Sequence, residues 1–151
     1  MQTQNNPQLE PFKAEHILDM KLAERSQIIF MIPGLLDAYE TLEGSHTFRH
    51  EGRIFACGGV LKLWEGMGEA WFVLADDIDL PVFSVCAIVK DYVDSLIGTK
   101  YRRLQATIKC DDDKAIRFIE WLGFEREGFM RQYGVEGADY YIYARGTWQE
   151  Q

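Results

Sequence analysis

The chain has 151 residues, of which 47% are hydrophobic, and it carries a formal net charge of −8 at pH 7. This length and composition predict one folded domain and exclude a chain that is disordered throughout. An acidic surface repels phosphates, so we expect no nucleic-acid partner. No apolar run approaches the ~20 residues that a bilayer crossing needs, so we expect no membrane partner either.

The ends of the chain and its cysteines contain no targeting or metal-binding pattern. The N-terminal residues lack the basic start and apolar stretch of a signal peptide, which predicts a cytoplasmic protein. Cys57, Cys86 and Cys110 are far apart and odd in number, which favours small buried side chains over disulfides or a metal site.

We expect a tail at residues 1–8, a single domain at 9–146 and a second tail at 147–151.

The first half of the chain changes from helical to strand periodicity. Pro33-Gly34 should kink or break the second helical region, Glu51-Gly52 should form a hairpin turn, and Gly58-Gly59 should mark a bulge or a close backbone approach. The predicted elements are a strand at residues 9–13, helical regions at 14–22 and 26–42, and strands at 46–49 and 54–64.

The second half alternates strands and helices. After a loop at residues 65–68, the apolar run 70–75 is typical of a strand buried on both faces in the middle of a sheet. Asp111 should cap the last helix, and Gly123 should end it in a left-handed conformation. The predicted elements are that strand, a helix at 81–96, a strand at 104–108, a helix at 112–122, and strands at 124–133 and 140–145. The order β-α-α-β-β-β-α-β-α-β-β predicts an α/β fold of the α+β kind with a mixed sheet.

Residues 112–124 contain the motif that is most informative about the fold. Asp112 is followed by Ala115, a helical stretch and Leu122-Gly123-Phe124. This segment resembles the late signature of the GNAT acetyltransferase superfamily, which has Asn, two residues, Ala, a helix and Leu-Gly-Phe. With the order of elements, the resemblance covers nearly the whole chain and implies a GNAT fold, N-acetyltransferase activity and acetyl-CoA as cofactor. A capped helix between two strands is the alternative interpretation.

The resemblance also implies where the cofactor would bind. Backbone groups of Phe72, Val73 and Leu74 would hold the pantetheine arm, and Asp112 and Ala115 match the late signature. Active members have a Gly-rich loop with a basic or amide residue between the central strand and the long helix, where it holds the pyrophosphate. Residues 76–81 contain three aspartates and neither glycine nor a basic residue, so their charge opposes a pyrophosphate. A solvated turn followed by a helix cap explains them equally well.

Candidates for acid–base catalysis are few. Glu69, just before the predicted central strand, is the candidate general base, because active members often take a Glu from that strand; a loop-end carboxylate is the alternative. Many relatives have a Tyr in the late helix as general acid. The matching residue of this chain is Ile119, whose side chain cannot transfer a proton.

His46 and His50 lack a third ligand for zinc and are expected to be exposed. The tyrosines of the last hairpin, with Trp148, either line a substrate groove or pack as in an ordinary strand.

A second, looser resemblance covers about residues 54–143. Cys57-Gly58-Gly59, Trp71-Phe72-Val73 and Ile116-Arg117-Phe118-Ile119 are similar to small GNAT-like proteins of short-tailed phages, some of which are internal virion or assembly proteins. Two hypotheses therefore stay open. The chain is either an acetyl-CoA-dependent transferase for a small-molecule or peptide amine, or a non-catalytic protein that binds a host or virion protein in the host cytoplasm or the virion.

Overall fold

The computed structural model describes residues 8–20, 32–42, 44–75 and 82–150. The elements of these residues are β1 (Gln8–Pro11), α1 (Ala14–Leu18), α2 (Leu35–Glu40), β2 (Ser45–His50), β3 (Arg53–Trp64), β4 (Met67–Leu74), α3 (Val82–Leu96), β5 (Arg103–Lys109), α4 (Asp113–Trp121), β6 (Glu125–Met130), β7 (Tyr140–Gly146) and the 3₁₀ helix Thr147–Glu150. Within the described ranges, seven strands form one mixed sheet in the order β1-β2-β3-β4-β5-β7-β6. The predicted fold class and order of elements are confirmed. None of the helices described is long and apolar enough to span a bilayer.

Strand β4 occupies the central position that its apolar run predicts, between β3 and β5. It begins earlier than the predicted strand at residues 70–75, because the preceding turn is only Glu65-Gly66, with Gly66 at a φ of 81°. Glu69 is therefore inside the strand and not at the end of a loop. Met67, Gly68 and Val73 are buried and the other residues of β4 are half-buried, so the predicted burial on both faces is only partial.

The chain divides into two compact units, which are described separately. Unit 1 is Met1–Leu61 with Trp71–Leu80, and unit 2 is Lys62–Ala70 with Pro81–Gln151. The single domain at residues 9–146 stays a prediction. Gln8, in the predicted N-terminal tail, belongs to β1, and the 3₁₀ helix takes up most of the predicted C-terminal tail. Residues 1–7 and 151 are outside the described residues.

Unit 1 has a core built from the residue that follows β1, from α1 and the turn after it, and from residues of β3 and β4 and the end of β4. Its buried members are Phe12, Ile17, Met20, Cys57, Val73 and Ala75. At the edge of this core, the rings of Tyr39 and Trp71 stack at 4.2 Å. The predicted break at Pro33-Gly34 is where α2 begins, since Gly34 has a φ of 76° and caps it.

The paired glycines of β3 allow a close backbone approach. A Cβ on Gly58 would lie 2.8 Å from the carbonyl oxygen of Trp71, and one on Gly59 would overlap with Gly44. The irregularity in strand pairing lies elsewhere, between Phe48 and Arg49 of β2. Of the two readings that the sequence left open for this pair, the structure therefore supports the close approach.

Unit 2 has its helices on one face of β5, β7 and β6. Tyr143 of β7 donates a hydrogen bond from its hydroxyl to Glu120 of α4, at 2.9 Å. Arg145 forms an ion pair with Asp94 of α3, at 2.7 Å. Tyr143 and Arg145 are aligned with Ala106 and Leu104 of β5, and residues aligned on neighbouring strands point to the same face. α3 and α4 are therefore bonded to the face that contains these residues.

The ends of α4 explain most of the motif at residues 112–124. Asp112, and not the predicted Asp111, is the N-cap, because its carboxylate is the one that accepts the backbone N–H of Ala115, at 3.2 Å. Gly123 follows the helix at a φ of 93°, as predicted, and Phe124 then enters the core at 3% exposure.

Candidate active site

The other face of the sheet in unit 2 carries polar side chains on neighbouring strands. In the strand register, Glu69 is aligned with Gln105 and Gln105 with Ala144, while Arg103 is aligned with Gly146. Because aligned residues share a face, and so do residues two apart in one strand, Glu69, Arg103 and Gln105 point to the same side. We call this side the polar face. It lies opposite the face to which α3 and α4 are bonded.

Arg103 and Glu127 form a bidentate ion pair on the polar face. The distances are 3.0 Å from Nη1 to Oε2 and 2.7 Å from Nη2 to Oε1. Arg103 belongs to β5 and Glu127 to β6, so the pair crosses over β7, whose residues at this point are Ala144 and Gly146. Small side chains on β7 leave room for the long guanidinium group. Such forked contacts fix the geometry of both partners.

Glu127 lies at an irregularity in the pairing of β6 with β7. The register of β6 against β7 passes from Arg126 to Gly128 and leaves Glu127 without a partner residue. Glu127 is two residues from Glu125, which is aligned with Ala144, so the alternation of the strand already places Glu127 on the polar face. Hydrogen bonds from Arg103 hold the pKa of Glu127 below its usual value, against a smaller upward effect of partial burial. The carboxylate is therefore kept ionised beside the guanidinium.

Gln105 is bonded to Arg103 of this ion pair and is aligned with Glu69 in the strand register. Nη2 of Arg103 also donates to Oε1 of Gln105, at 3.2 Å. Because a guanidinium group only donates, the amide oxygen must be the atom that faces Arg103. The amide nitrogen is thereby turned away from Arg103. Among the described residues, none forms a hydrogen bond or an ion pair with the carboxylate of Glu69, the neighbour of Gln105 on β4.

Trp148 borders the polar face beside Arg103. Its ring lies against Gly146, where any Cβ would overlap with the ring. The guanidinium carbon of Arg103 is 5.9 Å from the centroid of the indole, within the range of a cation–π contact. Trp148 remains 42% exposed. An apolar surface is therefore available to a ligand next to the polar groups.

The tyrosines of the last hairpin have more than one role. Tyr143 is fully buried, and its hydroxyl accepts hydrogen bonds from Arg126 while donating to Glu120. Burial, above all, raises the pKa of Tyr143. Tyr133, in contrast, is exposed and packs edge-on against Tyr140. For Tyr143, the structure thus supports ordinary strand packing rather than a substrate groove.

The two predicted cofactor residues of the late signature contact each other. Asp112 uses its carboxylate to accept the backbone N–H of Ala115. That contact satisfies one of the amides that the start of a helix otherwise offers to an anion. The structure thus gives both residues a role in capping α4, and a role in cofactor binding stays a prediction.

The other predicted cofactor residues belong to unit 1. Phe72 packs edge-on against Phe48, with ring centroids 6.4 Å apart. Val73 is buried in the core of unit 1, and Leu74 is half-buried at the end of β4. Only their backbone groups are predicted to hold the pantetheine arm. The predicted phosphate segment, residues 76–81, lies outside the described residues.

The cysteines and histidines form no metal site within the described part of the chain. Cys57 is fully buried, as expected, and burial raises the pKa of its thiol to about 11. Cys86 and Cys110 are half-buried. His46 and His50 are also half-buried, so their predicted exposure is wrong; β2 is paired on both sides in the sheet.

Sequence reasoning missed Arg103, Gln105 and Glu127. A signal for the first two was present, because residues 103–108 alternate polar and apolar, the pattern of a strand with one solvated face. No comparable signal marked Glu127. Its contact with Arg103 depends on the strand order β5-β7-β6.

Comparisons with known proteins support the fold. No family model matches the sequence, and no curated protein matches it. Solved structures do match. The structure is similar to Ard1 from Thermoplasma volcanium, with a TM-score of 0.76 and 15% identity over 93% of this chain and 97% of that one.

Two further structures are similar over almost their whole length. One is a GNAT-family acetyltransferase from Bacillus anthracis, with a TM-score of 0.72 and 16% identity over 99% of this chain and 98% of that one. The other is a GNAT-family acetyltransferase from Elizabethkingia anophelis with acetyl-CoA bound, with a TM-score of 0.68 and 13% identity over 94% of this chain and 99% of that one. The chain therefore has the GNAT fold, as the motif at residues 112–124 implies.

Proposed function

We propose that the protein is an acetyl-CoA-dependent N-acetyltransferase and that its acceptor is a small-molecule or peptide amine. The observation that supports this proposal most is the position of Glu69. It lies in the central strand β4, on the polar face, and none of the described residues neutralises its carboxylate. A carboxylate with these properties is available to accept a proton. The solved structures that share this fold include acetyltransferases, one of them with acetyl-CoA bound.

Proton transfer is the chemical task that the chain itself must perform. Acetyl-CoA would supply the acetyl group as a thioester. An ammonium group has no free electron pair, so the acceptor nitrogen must lose a proton to bond to the acetyl carbon. In this proposal Glu69 accepts that proton, directly or through one water that it orients.

The described residues fit the pantetheine arm better than the pyrophosphate. Backbone N–H and C=O groups of Phe72, Val73 and Leu74 belong to the central strand and are the proposed contacts of the arm. At the start of α4, one amide is already taken by the carboxylate of Asp112, whose charge also opposes a phosphate. Any contacts of Asp112 and Ala115 with the cofactor are therefore expected to be weak.

Calorimetric titration with acetyl-CoA and with free CoA tests the proposal. We expect weak binding that becomes tighter in Asp77→Asn and Asp79→Asn, because each change removes a negative charge from the segment proposed to face the pyrophosphate. Asp37→Asn, on exposed α2, is a matched control and should leave the affinity unchanged. Tight binding that none of these changes affects would show that the phosphates bind elsewhere.

The alternative is a non-catalytic protein that binds a host or virion protein. The observation in its favour is the hairpin of β6 and β7, on which Phe129, Tyr133 and Val135 are 55%, 51% and 53% exposed. Exposed aromatic residues of this kind are enriched in protein interfaces. The same titration separates the two functions. Absence of any binding of acetyl-CoA or CoA to the folded protein would favour the alternative.

A further inference from the structure

The hairpin that connects β3 to β4 exposes two apolar side chains just before its turn. Leu63 and Trp64 are 38% and 60% exposed, at the end of β3. Neighbouring residues of a strand point to opposite faces, so these two side chains flank the end of the strand on both sides. A single exposed apolar residue is common on protein surfaces, whereas an exposed Trp is the kind of residue that contributes most to protein interfaces.

Three cationic side chains surround the same turn. Nζ of Lys62 donates to the carboxylate of Glu65, at 2.5 Å. Nη1 of Arg102 donates to the backbone oxygen of Glu65, at 2.8 Å. Nζ of Lys100 lies 5.8 Å from the ring centroid of Tyr101. The hydrogen bond from Lys62, above all, and the charges of Arg102 and Lys100 hold the pKa of Glu65 below its usual value.

Most of this positive charge has no carboxylate partner within the chain. Glu65 is bonded to Lys62, and none of the described residues forms an ion pair with Lys100 or Arg102. Because Nη1 of Arg102 is bonded to a backbone oxygen, its Nη2 can bind a carboxylate of another molecule. Both side chains are exposed, on a chain whose net charge is −8. Salt screens distant charges beyond about 8 Å, so a partner that reaches this turn responds to the local cations.

Backbone hydrogen bonds hold the turn and the cations together. The N–H groups of Arg102 and Arg103 donate to the carbonyl oxygen of Gly66, at 2.9 and 3.1 Å. Gly66 has a φ of 81°, and a Cβ at this position would overlap with the guanidinium of Arg102. The missing side chain therefore leaves room for Arg102 beside the turn. Groups that are in place before a partner arrives lose less conformational entropy when it binds.

We infer that this turn is a docking surface for an acidic segment of a partner protein. The surface, named the hairpin-tip surface, consists of Lys62, Leu63, Trp64, Lys100 and Arg102, all of which belong to unit 2. Carboxylates of the partner would pair with Lys100 and Arg102, and an apolar side chain of the partner would pack on Trp64. The inference does not depend on the proposed function, because none of the five residues belongs to the candidate active site.

The combination of charge and apolar surface favours a protein over other polyanions. The side chain of Glu65 is 89% exposed directly after Trp64, so a continuous layer of anionic head groups would be repelled where the Trp would enter it. A peptide can place its carboxylates at the cations and away from Glu65. A nucleic acid has phosphates and bases but no aliphatic side chain for Leu63. An acidic peptide with apolar residues supplies both kinds of contact.

The first measurement maps the contact with a synthetic acidic peptide, EDLEDFEDLE. In ¹⁵N-labelled protein, the indole N–H resonance of Trp64 is identified by its absence in Trp64→Phe. We expect the peptide to shift this resonance and to leave those of Trp121 and Trp148 unchanged, although these two are 44% and 42% exposed. The neutral peptide QNLQNFQNLQ should shift none of the three. Equal shifts of all three resonances, or no shift of Trp64, would overturn the inference.

The second measurement is the affinity of the fluorescently labelled acidic peptide, by anisotropy at low salt. Trp64→Ala should raise Kd by roughly 10-fold or more, because it removes the central apolar contact. Lys100→Gln and Arg102→Gln should each raise Kd by roughly 2- to 5-fold, as expected for exposed ion pairs, and this difference should shrink at high salt.

Matched controls for these variants lie on α4. Trp121→Ala and Lys114→Gln remove an exposed Trp and an exposed Lys, and both should leave Kd unchanged. Melting temperatures show whether every variant is folded. If the controls weaken binding as much as the variants of the hairpin-tip surface, the peptide binds by general charge and the inference is wrong.

Competition decides the class of the partner. We expect that a thymidine oligonucleotide, vesicles that contain phosphatidylserine, and free CoA do not displace the peptide at matched negative charge. Displacement by the oligonucleotide or the vesicles would overturn the assignment of an acidic protein segment. Displacement by CoA would mean that these cations bind the phosphates of the cofactor, which overturns this inference without contradicting the proposed function. If the chain acetylates no amine but binds the peptide as described, the proposed function fails and the docking surface stands.

Discussion

The two faces of β5, β7 and β6 in unit 2 differ in composition and in what they contact. On one face, Leu104, Ala106 and Tyr143 are at most 5% exposed, and residues of the same face are bonded to α3 and α4. On the other face, Arg103 and Gln105 are half-buried and Glu127 is exposed. Alternate residues of the same strands form both faces. One backbone can therefore supply stability on one side and chemistry on the other, and variants of the two faces should separate stability from activity.

The largest expected effect is on the polar face. Glu69→Gln keeps the size of the side chain and its hydrogen bonding but removes the proton acceptor, so turnover should fall by ~10²–10⁴-fold. The melting temperature should stay unchanged, and the dependence of the rate on pH should weaken. Glu125→Gln, which changes a glutamate aligned with Ala144 on the same face, is the control. Equal losses in both variants would mean that a general loss of negative charge, and not Glu69, is responsible.

The next largest effect is expected on the free energy of unfolding, from a change in the buried core. Phe124 is 3% exposed, and Phe124→Ala should lower the free energy of unfolding by roughly 2–5 kcal/mol, because it leaves a cavity. Phe129 is 55% exposed, and Phe129→Ala should change that free energy by only about 0.5 kcal/mol. Denaturant unfolding measures both. Comparable losses would contradict the packing that separates these two phenylalanines.

The smallest effect concerns the ion pair of the polar face. Arg103 lowers the pKa of Glu127 in the folded chain, so the pair stabilises the fold above the pKa that Glu127 has when unfolded. That contribution is lost as the pH falls through the lowered pKa of the folded state. Glu127→Gln should therefore destabilise the fold by less than about 1 kcal/mol at neutral pH, since the pair is partly exposed. The difference should vanish in acid, and a difference that persists there would not come from the charge.

Much of the fold could be predicted because its signals are local. The order of elements follows from hydrophobic periodicity and from breakers such as Gly123, whose φ of 93° suits a glycine at a helix end. The predictions differ from the structure by one to a few residues at the ends of strands and helices. β4 begins at Met67 rather than at Ala70, because a two-residue turn is enough to connect it to β3. The cap of α4 is Asp112 rather than Asp111, because only hydrogen-bond geometry decides between adjacent aspartates.

The candidate site, like the fold, could be predicted only in part from the sequence. Sequence alone identified Glu69 as the candidate base and placed it beside the central strand. Only the tertiary structure places Arg103, Gln105 and Glu127 on the same face as Glu69, since this depends on the strand register and on the strand order β5-β7-β6. Hydrophobic periodicity predicts on which face of its own helix or strand a residue lies. Which strands become neighbours is decided by the packing of the whole sheet, and no local pattern contains that information.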